Sequence, residues 1–198
     1  MKISLYGKRC QFFTREGISI YAYCLYCETQ RCRLIASLLE LNVPGLRAFS
    51  PQIVKRQRKQ GKNVDVCFDL LPGYVFVFVT EKLLSFNLFH GISGILRQIG
   101  NAEDGYALSG GDLDFAMNLY EKDGLVGQVT LFKNGESVVL SDPLFNGCQG
   151  KITQVDYRKQ RARVDYRFAG MGCFTWVAFD MIVRPASAEQ TADSPPPL

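Results

Sequence analysis

Three closely spaced cysteines and the single histidine are the residues of this sequence whose side chains could most readily support chemistry. Cys24 and Cys27 are spaced as Cys-x-x-Cys, and Cys32 follows five residues later. That spacing is typical of zinc and thiol–disulfide sites, but no second cysteine pair follows at zinc-ribbon spacing. Residues i and i+3 of a strand face opposite ways, so the two thiols should diverge. We expect all three to be buried as small hydrophobic residues, with no metal and no cofactor.

Other features that could support catalysis are incomplete. His90 is the only histidine, which excludes a multi-histidine metal site, and it follows a Leu-Phe pair at an expected helix end. The glycine-rich segments 91–94 and 110–111 lack the Lys-Ser/Thr pair of a phosphate-binding loop. The seven cysteines are an odd number and argue against a complete disulfide framework. No nucleophile, base and orienting group come together, so we expect a protein that is not an enzyme.

Positive charge is concentrated in two stretches, and both are candidates for contact with nucleic acid. Residues 55–62 hold five basic side chains and no acid, namely Lys55, Arg56, Arg58, Lys59 and Lys62. Residues 151–167 hold six basic and two acidic side chains, and the RNA-binding candidates there are Lys151, Arg158, Lys159, Arg161 and Arg163. A strand would place only alternate members, such as Arg161 and Arg163, on one side. The alternative for both stretches is a solvated surface.

The first part of the chain has the pattern of a mixed α/β sandwich. Residues 20–27 are predicted to form a strand, and Thr29 can cap a helix whose apolar stripe is Cys32, Ile35, Ala36 and Leu39. Residues 47–54 and 64–70 are predicted strands of a hairpin with a long basic tip. Residues 74–79 (YVFVFV) are apolar on both faces, so that strand should be central in its sheet.

Further elements complete this unit before the pattern changes. We expect a short helix over 82–90, a strand over 95–99, and a helix with the stripe Leu113, Ala116, Met117 and Tyr120, capped by Ser109 or Asp112. Short predicted strands then recur at 137–141, 150–156, 161–168 and 173–179, which is typical of a small antiparallel barrel. The predicted fold class is therefore α+β.

The chain divides into five predicted segments. They are an N-terminal extension (1–18), a first domain (19–120), a linker (121–134), a barrel domain (135–184) that folds alone, and a disordered tail (185–198). No apolar run approaches the roughly 20 residues of a membrane helix. The first residues lack the apolar core of a secretory signal, so we expect a cytoplasmic location without membrane association.

Two sequence stretches resemble the NusG family of transcription elongation and antitermination factors. Residues 135–145 (GESVVLSDPLF), followed by Gly150-Lys151-Ile152 and Val155-Asp156, resemble its KOW motif. Gly150 falls where a turn re-enters a strand and a side chain would clash. Residues 21–27 (YAYCLYC) and 71–77 (LPGYVFV) resemble its NGN domain. The resemblance runs from Ser19 to Val183 and implies an NGN-like sandwich with an antiparallel sheet, followed by an SH3-like KOW barrel.

The resemblance also implies partners. In this family the NGN domain binds RNA polymerase near upstream DNA, and the KOW domain recruits a ribosomal protein, the Rho terminator or nascent RNA. The resemblance also implies a monomeric protein that catalyses no reaction. On that basis Tyr26, Leu71 and Tyr74 form the candidate polymerase-binding patch on the open sheet face, and residues 55–62 are the candidate DNA contact. The alternative for Tyr74 is the core, because it shares strand parity with Phe76 and Phe78.

This sequence departs from the common family pattern in ways that bear on its partner. Leu71 replaces the aromatic residue that usually precedes Pro-Gly, and residues 157–164 (YRKQRARV) are dense in positive charge. That segment is closer to the operon-restricted paralogues of the LoaP type, whose KOW domain contacts an RNA hairpin. Tyr157 and Tyr166 are then candidates for stacking on bases. The competing hypothesis is a ribosome-associated KOW protein that binds structured RNA without polymerase, although such a protein does not need the PGYVFV strand.

Overall fold

The computed structural model describes residues 12–13, 19–83, 89, 91–134, 137–140 and 142–183. Most of the predicted extension 1–18, most of the predicted helix 82–90 with His90, and the predicted tail 185–198 lie outside the described residues. Within the described part of the chain, no helix is both long and apolar enough to cross a membrane.

The first domain is built on an antiparallel sheet whose central strands are apolar. Its strands are β1 (Phe12–Phe13), β2 (Ser19–Cys27), β3 (Arg47–Phe49), β6 (Tyr74–Val79) and β7 (Ile95–Ile99). Strand β6 lies between β2 and β3, and β1 and β7 both pair with the other edge of β2. All six residues of β6 are buried, which confirms the predicted central position.

Helices cover both faces of this sheet. Helix α1 (Cys32–Asn42) follows a 3-10 turn and packs Ile35 and Leu39 into one core cluster, but no side-chain cap from Thr29 forms at its start. Helix α2 (Gly110–Glu121) packs on the opposite face, where the rings of Phe115 and Phe76 lie 6.2 Å apart. These two layers confirm the predicted sandwich.

The basic stretch forms a regular hairpin. Strands β4 (Gln52–Lys59) and β5 (Lys62–Asp69) pair along their whole length and turn through two residues, Gln60 and Gly61. Both turn residues have positive φ, at 50° and 79°, as a tight two-residue hairpin turn requires. The predicted long basic tip is therefore wrong, because the basic residues lie along the strands. Strand β8 (Leu125–Val126) adds parallel to β4.

The remaining strands form a nearly closed barrel with the order β10-β9-β13-β12-β11. The barrel is not wholly antiparallel as predicted, because β13 pairs in parallel with β9. They are β9 (Val129–Asn134), β10 (Ser137–Leu140), β11 (Lys151–Asp156), β12 (Arg161–Phe168) and β13 (Met171–Val183), with the short helix α3 (Pro143–Asn146) between β10 and β11. Strand β9 falls in the predicted linker yet lies between β10 and β13. A barrel fragment must therefore begin before Val129. The α+β fold class is confirmed.

Gly150 has a packing role that can be tested by substitution. A Cβ atom there would lie 2.5 Å from Phe145 Cβ and 2.9 Å from its carbonyl oxygen, which confirms the predicted clash. Such overpacking typically costs about 1–3 kcal/mol. We expect Gly150→Ala to lower the melting temperature by roughly 3–10 °C in a thermal unfolding experiment.

The matched control for this substitution is Gly172→Ala on β13. No atom lies within 4 Å of a Cβ built at Gly172, so the melting temperature should stay near that of the parent protein. An unchanged melting temperature for Gly150→Ala would show that the segment around Phe145 relaxes without cost.

Candidate functional site

The candidate polymerase-binding residues lie together at one end of the first sheet. We call Tyr26, Leu71 and Tyr74 the sheet-end patch. Tyr26 and Tyr74 face each other across β2 and β6, and their ring centroids lie 5.3 Å apart. The Leu71 carbonyl accepts a hydrogen bond of 3.2 Å from the Tyr74 backbone N–H. The guanidinium of Arg97 on β7 lies 5.5 Å from the Tyr26 ring centroid, so the patch carries a cation at its rim.

Gly73 allows the turn that brings this patch together. Its φ is +89°, in the left-handed region that disfavours residues with a Cβ atom. A Cβ atom would also lie 2.9 Å from Tyr26 Cε2 and 3.3 Å from the Cys27 carbonyl oxygen. The turn before Tyr74 therefore requires glycine, because a Cβ atom at position 73 would be strained and would press on Tyr26.

The barrel covers the sheet face that carries the patch. The Phe168 ring at the end of β12 lies 6.0 Å from that of Tyr74, 5.3 Å from that of Phe76 and 5.4 Å from that of Phe115. Leu71 and Tyr74 are consequently buried, with 5% and 9% of their surface exposed, while Tyr26 is partly buried. Patch and barrel thus share one continuous apolar core.

Polar contacts accompany this apolar interface. Ala169 in the β12–β13 turn donates its backbone N–H to the Asp112 carboxylate on α2 at 3.0 Å. Burial raises the pKa of Asp112, and that hydrogen bond opposes the rise. Lys122 Nζ lies 2.7 Å from one carboxylate oxygen of Asp142, the residue that caps α3. Among the described residues, the buried Tyr166 hydroxyl has no hydrogen-bond partner.

The basic hairpin lies beside the barrel. Lys55 Nζ lies 5.2 Å from the Phe68 ring centroid, and burial, followed by the charge of Arg161, lowers the pKa of this ammonium group. Arg56 Nε lies 3.2 Å from Asp65, and Arg56 Nη1 donates to Gln160 of the barrel at 3.0 Å. The backbones of the three remaining candidates lie in β4 and β5, but their side chains fall outside the described residues: Arg58, Lys59 and Lys62.

The barrel candidates separate into two groups. Arg158 and Lys159 are exposed in the turn between β11 and β12, and Lys151 is exposed at the start of β11. The backbone N–H of Lys159 and then the side chain of Arg161 hold the pKa of Asp156 below its ordinary value. Arg161 and Arg163 project from alternate positions of β12, as predicted for a strand.

Two aromatic residues beside these arginines were missed by the sequence reasoning. Arg161 lies 4.4 Å from the Trp176 ring centroid, and Arg163 lies 4.2 Å from that of Phe174. The alternation over residues 173–177 (CFTWV) was the signal that could have identified them. Of the stacking candidates that were named, Tyr157 is exposed, but Tyr166 is only 3% exposed and cannot receive a base.

The cysteines have the predicted structural role. Cys24 and Cys27 are buried in different core clusters on opposite faces of β2, and Cys32 is buried at the start of α1. Burial raises the pKa of the Cys27 thiol to about 12, which keeps it protonated near neutral pH. Within the described ranges, no three His, Cys, Asp or Glu side chains form a group able to hold a metal ion.

A solved structure described as "Domain interaction in Thermotoga maritima NusG" aligns with a TM-score of 0.48 and 14% sequence identity, and it covers 80% of this chain and 93% of that chain. No protein-family profile matches the chain.

Curated relatives match part of the sequence. The chain is 27% identical over 113 residues to "Transcription termination/antitermination protein NusG" of Rickettsia conorii, covering 57% of this chain and 59% of that protein. It is 33% identical over 101 residues to the protein of the same name from Yersinia pestis, covering 50% and 56%. The corresponding protein of Escherichia coli K12 is 32% identical over 101 residues. The matched region is thus little more than half the length of these relatives.

Proposed function

Because this chain belongs to the NusG family, we propose that it is a transcription elongation and antitermination factor. It acts by binding RNA polymerase through the first domain and RNA or a protein partner through the KOW barrel. The observation that carries the proposal is the sheet-end patch. Two tyrosine rings 5.3 Å apart and an adjoining leucine form an apolar patch that a polymerase helix can bury in place of the barrel.

The arrangement of the two domains adds a condition to this function. Phe168 of the barrel occupies the same sheet face, so polymerase reaches Tyr74 only after the barrel leaves. The unpaired Tyr166 hydroxyl favours that departure, because an unsatisfied buried polar group costs about 1–3 kcal/mol and water can satisfy it. In our proposal polymerase and barrel therefore compete for one surface.

The basic hairpin and the barrel supply the nucleic-acid side of the proposal. Burial, and then the charge of Arg161, lowers the pKa of Lys55, so these two like charges repel. A nucleic-acid backbone that approaches this boundary relieves that repulsion. Upstream DNA at the hairpin and RNA at the barrel are the partners we assign to these charges.

A pull-down with the whole 198-residue chain tests the proposal. We expect purified core polymerase to be retained, and an excess of total ribosomal RNA should not displace it. The matched pair of variants is Tyr26→Asp, which should lose polymerase, and Leu41→Asp, which changes an exposed residue of α1 and should keep it. Retention of ribosomal RNA without polymerase would instead favour the ribosome-associated KOW protein.

A further inference from the structure

One face of the barrel carries a partly exposed row of alternating arginine and aromatic side chains. We call Arg161, Arg163, Phe174 and Trp176 the arginine–aromatic strip. Arg163 pairs with Trp176 across β12 and β13, and the two cation–π contacts run diagonally, so the four side chains form a zigzag. Each ring is thereby held against a guanidinium group.

The strip does not serve the hydrophobic core. The intervening residues of the same strands, Ala162, Val164 and Val177, are fully buried on the opposite face. Phe174, by contrast, has 59% of its surface exposed, and Trp176 is partly exposed. Large aromatic rings that lie against arginine side chains at the surface, away from the core, are typical of a binding surface.

The surroundings of the strip are complementary to a polyanion. A groove of about 420 Å³ beside Phe174 is lined by Lys151, Arg163 and Arg167 among others. Arg161 and Arg163 are also ion-paired, to Asp156 at 3.3 Å and Asp165 at 2.7 Å. A guanidinium has five N–H donors, so each of these arginines retains donors for a phosphate after making its ion pair.

We propose that the arginine–aromatic strip binds single-stranded RNA by stacking bases on Phe174 and Trp176 while the adjacent cations contact phosphates. Stacking requires exposed base faces, which single-stranded RNA offers and a continuous RNA duplex does not. The inference rests on the proposed nucleic-acid role of the barrel and deepens it, because it specifies that the RNA is single-stranded and that its bases stack on aromatic rings. It also differs from the RNA hairpin that the family resemblance implies.

Trp176 is the only tryptophan of the chain, so its fluorescence reports directly on the strip. The whole chain is titrated with a 12-nucleotide adenylate RNA, the matching DNA strand and a blunt RNA duplex. Fluorescence anisotropy of the labelled nucleic acids is the second readout. We expect the RNA strand to quench Trp176 and to bind more tightly than either of the other two.

Substitutions separate stacking from charge. Phe174→Ala should weaken binding of the RNA strand by about five- to 150-fold, the range for loss of one stacked base, without changing the salt dependence. Phe174→Tyr should restore the affinity. Replacing Arg161 and Arg163 together by alanine should instead flatten the slope of log affinity against log salt by about one to two. Val139→Ala, at an exposed apolar site on β10, is the control expected to have no effect.

The outcomes discriminate between the inference and the function on which it rests. If the double arginine variant loses affinity while Phe174→Ala binds normally, the stacking inference is overturned and RNA binding by the barrel stands. Equal or tighter binding of the duplex, or a preference for the DNA strand, overturns the assignment to single-stranded RNA. If none of the three nucleic acids binds, both the inference and the nucleic-acid role of the barrel are wrong.

Discussion

Phe168→Ala should release the barrel from the first domain and increase the affinity for RNA polymerase. The Phe168 ring contacts the rings of Tyr74, Phe76 and Phe115, all of which belong to the first domain. Truncating a buried phenylalanine to alanine typically costs about 3–5 kcal/mol. A loss of that size at the interface enlarges the open population by roughly 10² to several times 10³. Because polymerase binds only the open form in our proposal, its apparent affinity should rise by roughly tenfold or more.

Two measurements and two further variants make this expectation specific. Small-angle X-ray scattering should show a larger radius of gyration for Phe168→Ala, and titration with core polymerase should show the tighter binding. Phe174→Ala removes the same type of ring from the exposed face and should change neither measurement. Tyr166→Phe removes the unpaired hydroxyl and should favour the closed form, which lowers polymerase affinity. An expanded molecule whose affinity for polymerase is unchanged would contradict the competition between polymerase and barrel.

Leu71→Asp should also release the barrel from the first domain, but it should lower the affinity for RNA polymerase instead of raising it. Leu71 is buried in the core cluster that also contains Phe168, so a carboxylate there destabilises the closed form. When polymerase buries the same position, the charge again lies unpaired, at a cost of roughly 3–5 kcal/mol. Binding of core polymerase should therefore fall by at least about 100-fold.

The design of this second experiment distinguishes loss of the patch from loss of the fold. Leu41→Asp places the same charge at a position on α1 that is 79% exposed, and it should retain the parent affinity. Circular dichroism and the melting temperature report whether Leu71→Asp remains folded. If a folded Leu71→Asp protein binds polymerase normally, the polymerase surface lies elsewhere on the molecule. If Leu71→Asp does not fold, Tyr26→Asp carries the test, because Tyr26 is only partly buried.

The elements that the sequence predicted are those whose apolar pattern shows directly which of their faces are covered. Residues 74–79 are apolar at every position, and a strand with that pattern must be covered on both faces, as β6 is. The apolar stripe of α1 likewise predicted which side chains meet the sheet. Arg161 and Arg163 were correctly placed on one side of a strand by alternation alone.

The contact between the domains could not be predicted in this way. Phe168 follows Ala162, Val164 and Tyr166 at every second position of β12, so its spacing indicates only that it points to the buried side. Whether that side is filled by the barrel or by another domain is not encoded in a local pattern. Strand β9 was assigned to the linker for a related reason, since Gly124 and Gly127 interrupt the pattern just before it.

The placement of β9 limits how far the barrel can travel. Strand β8 is paired with β4 of the first domain and β9 belongs to the barrel, so only Gly127 and Gln128 connect the two units. Two extended residues reach about 7 Å, which allows the barrel to pivot but not to clear the sheet. A wider separation requires Leu125 and Val126 to detach from β4, which lengthens the tether to four residues and about 14 Å. Full opening would thus also expose an edge of the basic hairpin.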